Sequence, residues 1–139
     1  MKSFLELPHT ADMRLRVEAS TLAELFTAAL EGMMRAMTQQ RDAYKPERAA
    51  HEATVQLRAQ DATTLLVDFL NEALTHAHTN RAIYNRVVFE RISEDGLQST
   101  LSGFAVRGFR ADIKAATHHE AHVRKNIEGN YETIVVFDV

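Results

Sequence analysis

The chain contains no cysteine, which excludes disulfides, thiolate metal ligands and a cysteine nucleophile together. Glycine is scarce, with Gly32, Gly96, Gly103, Gly108 and Gly129 making up the whole set. No Gly-rich phosphate loop, G-x-S-x-G elbow or H-E-x-x-H zinc signature occurs. A surplus of positive charge is also missing: Lys and Arg total 16 against 19 for Asp and Glu, a formal charge of −3. Holding a phosphate backbone normally needs such a surplus, so direct nucleic-acid binding is not expected. Long apolar runs are absent as well. "MKSFLELPHT" reaches Pro8 and a polar turn before any secretory core could form, and no later stretch would span a bilayer. A cytoplasmic protein without membrane attachment is the expectation.

What is present is an ordinary globular composition, 45% hydrophobic and 25% charged over 139 residues. That length suits one core, so a single domain over 1–139 is expected. Met13, Leu15, Val17 and Ala19 alternate with Arg14, Arg16 and Glu18, the two-residue period of a strand with one dry face. Thr21 and Glu24 then form a T-x-x-E capping box, in which hydroxyl and carboxylate satisfy free amides at a helix start. Leu22, Leu25, Phe26, Ala29, Leu30, Met33 and Met37 follow at helical spacing. The stretch 38–50, with Pro46, reads as a loop.

The pattern then returns. Ala53, Val55, Leu57 and Ala59 alternate, Asp61 can cap, and Leu65, Leu66, Phe69, Leu70, Ala73 and Leu74 mark a second helix. The two strand-helix units align at a constant offset of 40 residues, 57 against 17 and 70 against 30, which suggests an internal duplication. Any two amphipathic units can be slid into register, however, and that plainer explanation stays open. From Ile83 onward the chain reads as β. Asp95-Gly96 separates two strand-like runs and is expected to supply the positive φ angles of a tight hairpin turn. Glu128, Gly129 and Asn130 mark another turn. Ile134 to Phe137 is apolar on both parities, as in an interior strand. The fold class is α+β: two amphipathic helices packed on one face of a mostly antiparallel or mixed β-sheet.

Chemistry is concentrated in few places. Asp12 precedes one strand and Asp138 ends another, so neighbouring strands could bring two carboxylates together. Two such charges repel unless a cation lies between them, and oxygen donors suit hard ions such as Ca²⁺ or Mg²⁺. Val139 adds main-chain oxygens beside Asp138. The plainer reading, an Asx-turn at Asp12 and a solvated Asp138, is preferred on spacing alone. His118, His119 and His122 lie in a strand-like pattern that sets residues three apart on opposite faces, so a zinc site from these alone is not expected. "HAH" at 76–78 ends the second helix, where imidazoles face the negative end of the dipole. Lys114 and Thr117 are ordinary by composition.

"HTAD" before a strand, "LAELFTAALEGMM" and "LLVDFLNEAL" on the helices, "KAATHH" late in the chain and a closing "VVFDV" together resemble the archease family, in matching order from His9 to Val139. The resemblance implies an accessory protein of an RtcB-type RNA ligase, a GTP- and metal-dependent enzyme of tRNA splicing and RNA repair. Such a protein promotes guanylylation and multiple turnover of the ligase and is not itself an enzyme. It also implies a divalent cation, calcium in the family's usual assignment, held by Asp12, Asp138 and the main chain of Val139. His9, Lys114, Thr117 and His119 follow as a second rank of site residues serving partner activation. The chain departs from the family at Pro8, where an acid often stands, and at "GFAVRGFRADI", where acidic signals are expected. Asp112 could replace one of them. A chaperone-like interaction module with a purely structural ion is the alternative. A metal-dependent hydrolase ranks last, because no nucleophile, base and oxyanion donors can be assembled.

Overall fold

Each helix starts where the sequence offers a cap. Residues 1–7, 12–39 and 50–139 are described in the computed structural model of the chain. The order is β1 (Lys2–Leu7), β2 (Met13–Ala19), α1 (Leu22–Met37), β3 (Ala50–Arg58), α2 (Ala62–Asn80), β4 (Ala82–Ile92), β5 (Gly96–Ala105), β6 (Ala115–Thr117), β7 (Arg124–Lys125) and β8 (Tyr131–Asp138). Thr21 Oγ1 accepts the Glu24 amide at 3.1 Å, and Asp61 Oδ1 accepts the Thr64 amide at 2.7 Å. The two caps keep the spacing seen between the strand-helix units. Only half of the expected capping box forms, because the Glu24 carboxylate accepts the Ser20 hydroxyl at 2.8 Å instead of a backbone amide. Most of the loop expected over 38–50 lies outside the described residues.

The helices are buried over an unusually wide arc. On α1 the covered residues are Leu25, Phe26, Ala28, Ala29, Leu30, Gly32, Met33, Met34 and Met37. At about 100° per residue these occupy more than half of the circumference. A stripe that wide needs cover from two sides, and α1 packs against β1 and β2 on one side and β4 on the other. Helix α2 packs against β3, β4 and β6. The α+β class holds, but the single sheet expected beneath the helices is divided in two: β1-β2-β8-β6 with β7 also beside β8, and β3-β5-β4. Every pairing is antiparallel. The helices form the layer between the sheets and share one apolar core with them. Phe26 of α1 and Phe69 of α2, both fully buried, meet the partly buried Phe89 of β4, with ring centroids 5.5 to 6.2 Å apart.

Asp95-Gly96 does mark the β4–β5 hairpin, though not by the expected mechanism. Among the described residues positive φ occurs at Arg81, Glu120 and Gly129 and not at Asp95 or Gly96. Ser93 makes the turn instead, donating its hydroxyl to Asp95 at 2.8 Å and its amide to the Gly96 carbonyl at 2.9 Å. The later turn is as expected: Gly129 has φ +84, and Asn126 Oδ1 accepts the amides of Glu128 and Asn130 at 3.0 Å each. Among the described residues no helix is long and apolar enough to cross a membrane.

Gly103 of β5 faces an irregularity in β4, where the register shifts between Ile83 and Arg86. A Cβ at Gly103 would collide with the Ile83 carbonyl oxygen. Gly103→Ala is therefore expected to destabilise the chain by about 2 kcal/mol or more through overpacking. Gly108→Ala, where the nearest atom would lie at an ordinary 3.7 Å, should leave the denaturant midpoint unchanged.

Candidate functional site at one end of the larger sheet

Strand β8 carries the site because it is paired on both edges. Its register with β2 sets Met13 opposite Phe137 and Arg14 opposite Val136. Continued by one residue, that register sets Asp12 opposite Asp138. On the other edge Ala115 faces Asp138, and the Lys114 amide donates to the Asp138 carbonyl at 2.8 Å. Met13 and Phe137 are buried toward the helices. Strand alternation therefore turns Asp12 and Asp138 to the outward face, and both are exposed.

Thr117 lies opposite Val136 on the same face and donates its hydroxyl to the Val136 carbonyl at 2.8 Å. Lys114 is exposed just before β6, and Val139 is exposed just after Asp138. His119 is carried away from Asp138, because β6 runs antiparallel to β8 and the chain turns after Thr117. His9 lies outside the described residues. The strand-like reading of His118 to His122 is corrected: residues 118–120 form a turn in which Glu120 has φ +65. His78 is at the end of α2, where its Nε2–H donates to the Ile113 carbonyl at 2.9 Å.

Among the described residues no group of three or more His, Asp or Glu side chains could hold a metal ion. The oxygen donors of Asp12, Asp138 and Val139 nevertheless match the chemistry of a hard cation. They fall short of the roughly six to eight ligands calcium takes, so water or a partner would have to supply the remainder. Neither carboxylate forms an ion pair with a basic side chain among the described residues.

Beyond the strand ends the outward face is a network of paired charges. Arg14 holds Glu120 through two bonds, 2.9 Å from Nε and 2.8 Å from Nη2, joining β2 to the turn after β6. The pair spans the Val136 row, which accounts for Val136 being only 3% exposed on a face turned to solvent. Arg16 reaches Glu132 at 2.9 Å, and Glu18 accepts Asn126 and Asn130 at 2.7 and 3.1 Å. An open concavity of about 370 Å³ lies among these groups, its lining setting Arg16 and Arg124 against Glu120 and Glu132. The Arg14–Glu120 link was not readable from sequence, because the turn that aims Glu120 back at β2 has no glycine or proline to announce it.

The chain matches the archease protein family (MTH1598/TM1083) over residues 4–139. Protein archease of Methanosarcina mazei is 26% identical, the alignment covering 99% of this chain and 97% of the relative. Protein archease of Methanosarcina acetivorans is 27% identical at the same coverage. The solution structure of Methanobacterium thermoautotrophicum protein 1598 superposes with a TM-score of 0.70 at 21% identity, covering 99% of this chain and 98% of that one. The crystal structure of a Thermotoga maritima protein, described as an archease and possible chaperone, gives a TM-score of 0.68 at 17% identity, covering 96% and 94%.

Hydrogen bonding from Arg14, followed by the charges of Arg14 and His119, holds the Glu120 carboxyl below its ordinary value of 4.5. A carboxylate with a depressed folded pKa contributes stability that is present above the unfolded value and is lost as pH falls through the folded one. Glu120→Gln should therefore narrow the difference in melting temperature between neutral and acid solution, as followed by circular dichroism.

Proposed function

Since the chain belongs to the archease protein family, we propose that it is a non-enzymatic accessory protein of an RtcB-type RNA ligase. In this role it promotes ligase guanylylation and repeated turnover in tRNA splicing or RNA repair. The observation that supports this most directly is the β2–β8 register, which directs Asp12 and Asp138 to one exposed end of the sheet. Two carboxylates with no basic partner among the described residues would form, at such an end, a docking point for a surface that brings its own cation or positive charge.

Asp12 and Asp138 would hold a divalent cation through their carboxylates, with Val139 adding main-chain oxygen, and calcium fits that donor set. When bound, such an ion supplies positive charge that stabilises developing negative charge in phosphoryl transfer. The residues of this chain hold and orient. Lys114, tied to Asp138 through its amide, offers a point charge, and Thr117 keeps β6 on β8. For docking to shift the ligase, the acidic end must bind its guanylylation-competent state more tightly than its resting state.

The description of the Thermotoga maritima relative as a possible chaperone favours a second reading, in which the chain stabilises its partner and the ion is structural. The two separate in a purified system of ligase, GTP and RNA ends. Under the activator reading, Asp12→Ala and Asp138→Ala each reduce stimulation at least about tenfold while the melting curve in the absence of calcium is unchanged. Full stimulation by both variants would falsify it and favour the chaperone reading. Calcium should also raise the melting temperature of the wild-type chain, by the equivalent of about 2.7 kcal/mol at a hundredfold excess over Kd. Differential scanning calorimetry of Asp138→Ala should show no such rise.

A further inference from the structure

At helical spacing Val67, Asn71, Leu74 and His78 share one face of α2, and Asn71 and His78 reach from it to the segment that enters β6. Two of these four are polar, and both are used. Asn71 Nδ2 donates to the Ala116 carbonyl at 2.9 Å, and Asn71 Oδ1 accepts the Ala116 amide at 2.8 Å. His78, two turns on, holds the Ile113 carbonyl. Ala115 and Thr117 pair with Asp138 and Val136 of β8, so Ala116 presents its own amide and carbonyl to the opposite edge. Ala116 is buried there, against a helix whose backbone is already paired. An unpaired amide and carbonyl at that edge would each be costly.

We propose that Asn71 is a positioning residue for the candidate site. Its carboxamide substitutes for a missing neighbouring strand, fixes β6 through Ala116, and so holds Lys114 and Thr117 beside Asp138. This rests on the reading of the Asp138 end as the working end. An apolar side chain at this position could cover Ala116 but satisfy neither of its groups. A carboxylate could accept the amide but would repel the carbonyl. Once protonated, a carboxylic acid has one donor and one acceptor and restores both bonds.

That difference defines the experiment. Amide exchange at Ala116 and Lys114 is measured by NMR as protection factors for wild type, Asn71→Ala and Asn71→Asp, at neutral pH and below the usual carboxylate range. Ligase stimulation is measured in parallel at neutral pH, with Asp12→Ala as a reference. Asn71→Ala should lower Ala116 protection at least about tenfold at both pH values and reduce stimulation on the order of tenfold, as loss of a supporting hydrogen bond commonly does. Asn71→Asp should lose protection at neutral pH and regain it in acid, a recovery that a packing defect alone does not produce. Wild-type protection in Asn71→Ala, or no acid recovery in Asn71→Asp, overturns the clamp. Stimulation that survives Asn71→Ala but not Asp12→Ala overturns the positioning role and leaves the activator reading intact. No stimulation by the wild-type chain overturns that reading and the positioning role with it, while the exchange data still decide whether Asn71 holds β6.

Discussion

The pairing of β2 with β8 is the constraint on which the site depends. Met13, Leu15 and Val17 on one strand and Thr133, Val135 and Phe137 on the other face the helices together. Their neighbours Arg14, Arg16 and Glu132 are turned to solvent and paired there. A slip of one residue would exchange these sets, driving guanidinium groups into a methionine- and leucine-rich core. The large cost of burying unpaired charge excludes that alternative. The apposition of Asp12 and Asp138 is thus enforced by the apolar pattern of residues that take no part in any chemistry.

The smaller sheet supports the β6 side of the candidate site through α2, while α1 joins its β4 to β2. Strands β3 and β4 support α2 from behind, Phe69 packs on Phe89 of β4, and the opposite side of the helix holds Ile113 and Ala116. Further along the same segment the Val123 amide donates to Thr63 Oγ1 at 2.9 Å. A short strand such as β6 could not keep its place by three residues of pairing alone. It is fixed because β8 and α2 hold it from opposite edges.

Much of this was legible in the chain. The alternation over Met13 to Ala19, the caps at Thr21 and Asp61, the two helices, the interior β8 and the α+β class are all local signals, and each strand or helix expresses them by itself. The division into two sheets is different, because alternation reports one dry face and not which strand lies beside it. β1 went unrecognised since it is an edge strand with only Phe4 and Leu7 partly covered, too few to set a period. At the candidate site, Asp12 and Asp138 could be singled out because strand ends and oxygen chemistry are visible in a sequence. Glu120 and Asn71 could not, because a left-handed turn and a side chain imitating a strand edge acquire their meaning only from partners many residues away. The order of short motifs that resembles the archease family agrees with the match over residues 4–139.

Strand β8 comes after every other element in chain order, yet it lies between β2 and the β6–β7 side of the larger sheet. During synthesis β2 and α1 therefore emerge with their apolar faces lacking a central neighbour until β8 itself has been translated. Pairings of such long sequence separation form slowly, and exposed strand edges invite association while they wait. The larger sheet thus stays open until β8 arrives, so the strands that frame the acidic end are the last of these elements to be joined.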